Sequence, residues 1–343
     1  MSDPRPAMRY RTLGASGTRI SELCLGTMMF GDTCDEATAS RIVGHAFDNG
    51  VNFIDTANQY AKGRSEEIVG RLIGQNRHRW FLATKVGNPA GDGVNNHGLS
   101  RSHVMNSVDA SLKRLGTDYI DLFYVHLYDA PTSWEHVVAT FGALIRQGKV
   151  REWGLSNVRG WHIAHICNLC DRHGVPRPAA IQPYYNLMNR MPEVEVIPAA
   201  RHYGIGVVPY SPIARGILSG KYRLNVSPEA GSRAARADKR MMETEWRPES
   251  LEIAEKLKAH AEARGASLVH WAVAWVLNNK AISAAIAGPR TFEQWTDYFG
   301  ALRYTWTAED EKLAASLVAA GHASTPGYTD PKYPVEGRFP TVS

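Results

Sequence analysis

The sequence predicts an α/β protein, a (β/α)8 TIM barrel with an N-terminal β-hairpin plug. From residue 23 onward, short apolar segments alternate with amphipathic ones eight times, as expected of parallel strands joined by helical crossovers. The segment after the first predicted strand reads Gly26-Thr-Met-Met-Phe-Gly31. It does not match the Gly-x-Gly-x-x-Gly pattern of an open dinucleotide-binding sheet. A closed barrel is therefore favoured over an open doubly wound sheet.

Turn and capping residues set the limits of each element. A hairpin is predicted within residues 8–23, around the turn from Gly14 to Gly17. Strands are predicted at 23–26, 51–55, 80–85, 119–126, 149–156, 179–182, 205–210 and 282–288. Helices are predicted at 35–49, 65–75, 100–115, 132–147, 159–173, 194–203, 250–264, 267–278, 291–302 and 307–320. Thr33 or Asp35 is expected to cap the first helix and Ser65 the second, and extra helices stand before the last strand and at the C-terminus.

The chain is expected to form one barrel domain over residues 1–343, with residues 321–343 as an extended tail. α/β barrels routinely reach or exceed about 250 residues as a single unit. Apolar residues make up 44% of the chain and charged residues 21%, values typical of a globular protein.

Composition also excludes several classes of partner. The net charge is only +5, and the dense basic run at 233–240 lacks interleaved aromatic residues, so nucleic-acid binding is not expected. No apolar stretch is long enough for a membrane span, and the N-terminus carries no secretory segment. The four cysteines fit a reducing compartment. We therefore expect a cytoplasmic protein, and the sequence leaves open whether it is a homo-oligomer.

Polar side chains stand at the C-terminal ends of the predicted strands, where barrel enzymes place their active sites. Three consecutive strands end at Asp55, Lys85 and His126. Tyr60 follows Asp55 by five residues. Because a buried lysine is rarely tolerated unless it is paired, we expect these side chains to meet in one site rather than to be unrelated surface charges.

These four residue types suit proton transfer to a carbonyl oxygen. The pKa of a free tyrosine, about 10, is high for an acid at neutral pH, and a neighbouring Lys85 ammonium is expected to lower it. Asp55 is expected to keep Lys85 protonated, and His126 to donate a hydrogen bond to the carbonyl oxygen. None of these residues can supply a hydride, so a cofactor is required.

The chain resembles the aldo-keto reductase superfamily, especially the branch that includes bacterial aldo/keto reductases and potassium-channel β-subunits. The resemblance covers about residues 10–320. The motifs that carry it are Asp55-Thr-Ala-x-x-Tyr60, Ala83-Thr-Lys85, Tyr124-Val-His126-x-x-Asp129, Gly154-Leu-Ser-Asn157, Gln182-x-x-Tyr-Asn186, Tyr210-Ser-Pro-Ile-Ala-Arg-Gly216 and Gly220-Lys-Tyr222.

The resemblance implies reversible NADPH-dependent reduction of an aldehyde or ketone to an alcohol, without metal. Tyr60 would be the general acid, Lys85 and Asp55 the pair that tunes it, and His126 the orienting residue. Ser156, Asn157 and Gln182 would hold the nicotinamide carboxamide, and Tyr210 would stack on the ring. Ser211, Pro212, Gly216 and Lys221 would line the pyrophosphate path, and Gly288, Arg290, Gln294 and Asp297 the adenosine end. Gly26, Thr27, Met28 and Ile213 complete the predicted cofactor site, and Phe30 and Tyr128 are predicted to contact substrate.

Arg290 bears on the choice of cofactor. It follows the last strand at the start of a helix, where backbone N–H groups and an arginine favour a phosphate, and this supports NADP(H) over NAD(H). The chain departs from the family at Tyr298, where an asparagine is common.

Two alternative interpretations remain. The first is an NADP(H)-binding regulatory subunit like the channel β-subunits. Those subunits have an asparagine at the position that corresponds to His126 of this chain. Cys167 and Cys170, with His165 and His173 nearby, could suggest a zinc site. At helical spacing the two cysteines share a face with Ile163, and zinc sites usually draw on two separated ligand pairs, so core packing is favoured and no metal is expected.

Overall fold

The structure of the protein is a computed structural model, and it describes residues 8–334. A two-stranded antiparallel hairpin, β1 (Tyr10–Thr12) and β2 (Arg19–Ser21), begins it. Leu13 in the hairpin turn is fully buried, and the Ala15 N–H donates to Gly204 O at 2.7 Å. The hairpin therefore closes the N-terminal end of the sheet, as the sequence predicts.

Eight parallel strands follow, and the first seven pair in chain order, each with the next. They are β3 (Leu23–Gly26), β4 (Phe53–Asp55), β5 (Phe81–Val86), β6 (Ile120–Val125), β7 (Val150–Ser156), β8 (Ala180–Gln182), β9 (Gly206–Val207) and β10 (Ala285–Ala287). β10 pairs with β3, and a parallel bridge between Val207 and Ile282 joins β9 to the segment before β10. Ser283 N donates to Val207 O at 2.8 Å in this closure. The predicted (β/α)8 barrel is confirmed.

The helices surround the strands and bury their apolar faces against them. They are α1 (Glu36–Asp48), α2 (Arg64–Ile73), α3 (Arg101–Leu115), α4 (Trp134–Arg146), α5 (Gly160–His173), α6 (Val196–Tyr203), α7 (Lys239–Thr244), α8 (Pro248–Ala263), α9 (Leu268–Asn278), α10 (Phe292–Tyr298) and α11 (Ala308–Leu317). α8 and α9 precede the last strand and α11 stands near the C-terminus, as predicted, whereas α7 lies in a stretch where no helix was predicted. No helix within residues 8–334 is long and apolar enough to cross a membrane.

Two local expectations need correction. Ser65 does not cap α2, whose N-cap is Gly63; its hydroxyl instead donates to Thr27 O at 2.8 Å and lies 2.9 Å from the Thr56 hydroxyl, tying the loops after β3 and β4 together. β9 is shorter than residues 205–210, because Pro209 has no N–H for the ladder. Asp35, rather than Thr33, caps α1 by accepting from Thr38 N at 2.8 Å.

The barrel interior is filled by alternate residues of the strands. Phe53, Phe81, Ala83, Leu122, Tyr124 and Ala180 form one buried cluster with the hairpin residues Leu13 and Ile20. Since side chains on one face of a strand recur every second residue, the next interior positions are Asp55, Lys85, His126 and Gln182. The topmost interior layer of the barrel is therefore polar.

The part of the predicted tail that the structure describes, residues 321–334, lies over the C-terminal end of the barrel. Asp330 accepts from both terminal nitrogens of Arg240 (3.1 and 2.6 Å). Arg159 donates to Tyr333 O and Pro334 O (2.9 and 2.7 Å). The rest of that tail, residues 335–343, lies outside the described residues.

Candidate active site

A buried ion pair lies at the centre of the polar layer. Lys85 Nζ donates to Asp55 Oδ1 and to Thr56 O at 2.6 Å, and the Lys85 side chain is wholly inaccessible to solvent. Gln182 Nε2 donates to the second oxygen, Asp55 Oδ2, at 3.0 Å. Because both carboxylate oxygens accept hydrogen bonds, the charge of Asp55 is balanced inside the protein, as a buried ion requires.

Tyr60 completes this hydrogen-bonded chain. Lys85 Nζ lies 3.2 Å from the Tyr60 hydroxyl. The turn that presents the tyrosine is irregular, since Ala61 and Lys62 both have left-handed backbone angles (φ 48° and 57°) before Gly63 (φ 92°) leads into α2. Left-handed non-glycine residues are uncommon and concentrate at functional sites. The turn therefore places Tyr60 over the end of β4.

Burial decides the protonation state of Tyr60. Burial raises the pKa of its hydroxyl above the usual value, while Lys85 and Arg215 act to lower it. The expectation that Lys85 lowers the pKa is correct for its own contribution, but the net direction is upward because desolvation of a phenolate outweighs that attraction. Tyr60 is consequently a protonated donor at neutral pH.

Lys85 is protonated and charged, whereas His126 is neutral. Burial opposes the charged form of Lys85, but Asp55 and Tyr60 raise its pKa, so the ammonium persists. Burial, followed by repulsion from Lys85 and Lys332, holds the pKa of His126 well below its usual range. The His126 ring lies edge-on to Tyr60, with centroids 6.0 Å apart. His126 is therefore a neutral imidazole beside the tyrosine.

A cavity of about 560 Å³ opens above these residues. All the predicted cofactor residues line it: Gly26, Thr27, Met28, Ser156, Asn157, Gln182, Tyr210, Ser211, Pro212, Ile213, Gly216, Lys221, Gly288, Arg290, Gln294 and Asp297. Asp55, Tyr60 and His126 line it as well, whereas Lys85 lies beneath its floor. Three of the four predicted catalytic side chains thus face the same cavity as the predicted cofactor residues.

The amide-bearing side of the cavity forms a connected network. Asn157 Nδ2 donates to His126 O and to Ser156 Oγ, both at 2.9 Å, and the Tyr210 hydroxyl donates to Asn157 Oδ1 at 2.9 Å. Ser156 Oγ donates to Gln182 O at 2.8 Å. These bonds fix the side chains of Ser156 and Asn157, while the Gln182 side chain is held by its bond to Asp55.

The opposite end of the cavity is rich in cations. Arg233 and Arg236 line it together with Arg290, and Arg290 Nη1 donates to Gly231 O at 3.1 Å, which ties the 231–236 loop to the end of β10. His270 Nε2 lies 2.7 Å from Asp297 Oδ1. Arginine and lysine side chains in a partly closed site suit a phosphate, so the donors present here fit the phosphate groups of NADP(H).

Neither of the two predicted substrate residues is among those that line the cavity. Phe30 is fully buried in the core between barrel and helices. The Tyr128 ring stacks on Trp134, with centroids 5.6 Å apart, and lies tilted against His162, with centroids 4.6 Å apart. From the loop after β3, Thr27, Met28 and Met29 line the cavity, whereas Phe30 does not.

Several cavity residues were missed from the sequence. Gln59 and Asn88 follow β4 and β5, and their place after strand ends could have identified them. Arg215 lies inside the quoted motif from Tyr210 to Gly216, yet was given no role. Lys332, from the tail, carries no local signal of a site. Tyr298, the noted departure from the family, is buried and lines the cavity.

Cys167 and Cys170 are fully buried on α5 and belong to the core with Ile163, as the core interpretation predicts. Within residues 8–334, no group of three or more histidine, cysteine, aspartate or glutamate side chains is arranged to hold a metal ion.

Comparison with known proteins identifies the family of this chain. The model of the aldo/keto reductase family matches residues 22–318. The chain belongs to the aldo/keto reductase family. It is 37% identical over 331 residues to the uncharacterized oxidoreductase YrpG of Bacillus subtilis (strain 168), covering 93% of this chain and 98% of that protein.

Other relatives are named as channel subunits. The chain is 36% identical over 288 residues to a probable voltage-gated potassium channel subunit beta of Arabidopsis thaliana, which covers 82% of this chain and 87% of that protein. A putative voltage-gated potassium channel subunit beta of Schizosaccharomyces pombe is 35% identical over 295 residues, with 83% of this chain and 85% of that protein covered. The resemblance to this branch of the family is confirmed.

Proposed function

We propose that this aldo/keto reductase family member reduces an aldehyde or ketone to an alcohol with NADPH, in a reversible reaction. The observation that carries the proposal is the hydrogen-bonded chain from Gln182 through Asp55 and Lys85 to Tyr60, which ends at the wall of the cavity. A protonated tyrosine backed by a buried ammonium is suited to give a proton to a carbonyl oxygen and to stabilise the resulting phenolate.

The cofactor proposal rests on the donor set. Ser156, Asn157 and Gln182 would hold the nicotinamide carboxamide, Tyr210 would support the ring, and Lys221 would contact the pyrophosphate. Arg290, with Arg233 and Arg236 beside it, would hold the 2′-phosphate and so favour NADP(H). When bound, this cofactor supplies the hydride.

The protein side of the chemistry is a proton transfer. Tyr60 donates its hydroxyl proton to the carbonyl oxygen, and Lys85 stabilises the phenolate that remains. His126, neutral because of burial, orients the carbonyl oxygen toward Tyr60. Asp55 keeps the proton on Lys85 throughout the reaction.

Replacing the acid tests this proposal. Tyr60→Phe removes the transferable proton, so turnover of an aldehyde is expected to fall by about 10²- to 10⁴-fold, while NADPH affinity changes little. NADPH oxidation followed by absorbance and NADPH binding followed by fluorescence check the two parts. Tyr203→Phe, on α6, serves as the matched control and should behave as the wild type. Near-wild-type turnover by Tyr60→Phe would contradict the assignment.

The channel-subunit relatives support a second candidate, an NADP(H)-binding regulatory subunit. His126 favours the enzyme, because its buried ring stands beside Tyr60 where it can orient a carbonyl. An NADPH-oxidation screen over aldehydes, ketones and sugars separates the two: binding of NADPH without oxidation by any of them would favour the regulatory role. We also propose a cytoplasmic location, supported by four free cysteines.

We also propose that residues 1–343 form one barrel domain with a tail at 321–343. It is supported by the contacts that residues 321–334 make with the barrel end.

A further inference from the structure

Positive charge gathers at the catalytic end of the cavity, and the proton-transfer chemistry does not use it. Arg215, Arg240 and Lys332 all line the cavity. Arg240 is neutralised by Asp330 at 2.6 Å and Glu243 at 2.9 Å. Arg215 and Lys332, by contrast, have no carboxylate within 4.0 Å among residues 8–334. Of these three cations, Arg215 and Lys332 therefore have no charge partner among residues 8–334.

Arg215 is held in place by its surroundings. Its backbone is left-handed (φ 50°), as is that of Ala214 (φ 49°), a conformation that persists in non-glycine residues only where the structure imposes it. Its Nε donates to Thr244 Oγ1 at 3.1 Å, and its guanidinium lies 5.3 Å from the Tyr184 ring centroid. Its two terminal nitrogens have no acceptor within residues 8–334 and are available to a ligand.

Tyr184 connects Arg215 to the reaction centre. The Tyr184 ring stacks on Tyr210 at 5.5 Å, and Tyr210 is bonded through Asn157 to the His126 backbone. The charge of Arg215 is also close enough to Tyr60 to lower the pKa of that hydroxyl. Arg215 thus lies near Tyr60, and it is also close enough to Arg233, at the other end of the cavity, to lower the pKa of that guanidinium.

Lys332 reaches the same region from the tail. Arg159 fixes the following residue by donating to Tyr333 O at 2.9 Å, and the Arg240–Asp330 pair fixes the segment before it. Burial, then Arg240 and Arg215, lowers the pKa of Lys332, and Lys332 in turn lowers that of His126. Like charges that repel in the free protein are relieved when an anion lies between them.

We infer that Arg215 and Lys332 bind an anionic group of the substrate, so that the preferred carbonyl compounds carry a carboxylate or a phosphate. The inference rests on the proposed function and adds the substrate class to it. An arginine with two free donors matches the two oxygens of either anion, and a lysine adds a point charge.

Matched probe pairs test the inference. 4-Carboxybenzaldehyde is compared with benzaldehyde, and glycolaldehyde phosphate with glycolaldehyde, by NADPH oxidation at low ionic strength. We expect kcat/KM for at least one anionic member to exceed that of its neutral partner by roughly 10- to 100-fold, the range of a charge-assisted hydrogen bond. The pair that shows the preference identifies carboxylate or phosphate.

Variants assign the preference to the two cations. In Arg215→Met and in Lys332→Met, the ratio of anionic to neutral kcat/KM should fall by roughly 10-fold, mainly through KM. Lys239→Met removes an equal charge from an 87% exposed side chain and should keep the wild-type ratio.

Three outcomes would overturn the inference: no anionic preference in the wild type, an equal loss for both members of a pair, or a matching loss of NADPH affinity in Arg215→Met. That last result would place Arg215 at the cofactor. Oxidation of NADPH by the neutral aldehydes alone would retain the proposed function and reject only the anion site, whereas no oxidation by any probe would reject both.

Discussion

At the scale of single residues, Lys85 is the feature that most needs a physical explanation. Its side chain is fully buried, and that of Asp55 is 3% exposed. An ammonium in such a place is stable only when a carboxylate and further hydrogen bonds replace the lost water. Asp55, Thr56 O and Tyr60 supply them. The same bonds that stabilise the charge also orient it toward the tyrosine.

Asp55→Asn should reveal the cost of leaving that charge unpaired. We expect the free energy of unfolding at pH 7 to fall by about 3–5 kcal/mol, measured by urea denaturation. Lys149→Ala, which removes a partly exposed pair with Asp109, should cost about 1 kcal/mol or less. Equal effects of the two substitutions would show that the Asp55–Lys85 pair is not energetically buried.

At the scale of elements, the hairpin and the barrel depend on a close backbone approach. Gly14 has φ 53°, and a Cβ built there would lie 2.5 Å from Gly206 N and closer still to Gly204 O. Gly17, in the same hairpin, also has a positive φ (75°) but has open space around it. An alanine at Gly17 would therefore meet only backbone strain, whereas an alanine at Gly14 would meet both backbone strain and a steric clash.

Gly14→Ala is expected to destabilise the protein by more than Gly17→Ala. The second variant carries only the strain of a left-handed alanine, about 1 kcal/mol, whereas the first must also move the hairpin off the start of β9. Thermal unfolding of both variants measures the difference. A Gly14→Ala variant as stable as Gly17→Ala would mean that the hairpin is not tightly docked.

At the scale of the whole molecule, Glu245 joins the barrel, α7 and the tail. It is fully buried, Asn186 Nδ2 lies 3.4 Å from its Oε1, and its Oε2 has no partner within residues 8–334. Burial raises the pKa of Glu245 to about 8, with Arg247 opposing and Asp330 reinforcing the shift. The native state therefore holds a proton that the unfolded chain releases above its ordinary carboxyl pKa.

This difference sets the sign of a pH effect on stability. Because the native pKa is the higher one, the contribution is complete at acidic pH and is lost as the pH rises toward 8. Relative to Glu245→Gln, the wild type should lose stability between pH 5 and pH 8 by up to about 1.4 kcal/mol per pH unit. Urea denaturation across this range measures it, with the exposed Glu252→Gln as control. A pH-independent difference between wild type and Glu245→Gln would contradict the buried, protonated state.

Much of the fold was predictable because it depends on local patterns. Apolar segments, glycines and capping residues such as Asp35 mark the elements, and their alternation leaves few topologies. The errors have tertiary causes. Ser65 is recruited by the loops after β3 and β4 instead of capping α2, and Phe30 turns into the core while Met29 faces the cavity.

By itself the sequence determined which residues share the polar layer. Strand residues alternate between faces, so a strand that ends at Asp55, Lys85, His126 or Gln182 presents that residue at the barrel mouth. Only the tertiary structure decided how these groups behave and what else joins them. The net rise in the pKa of Tyr60 depends on its complete burial, and the approach of Lys332 to His126 depends on how the tail packs across the barrel. Desolvation and contacts between distant parts of the chain arise from packing, which no local pattern encodes.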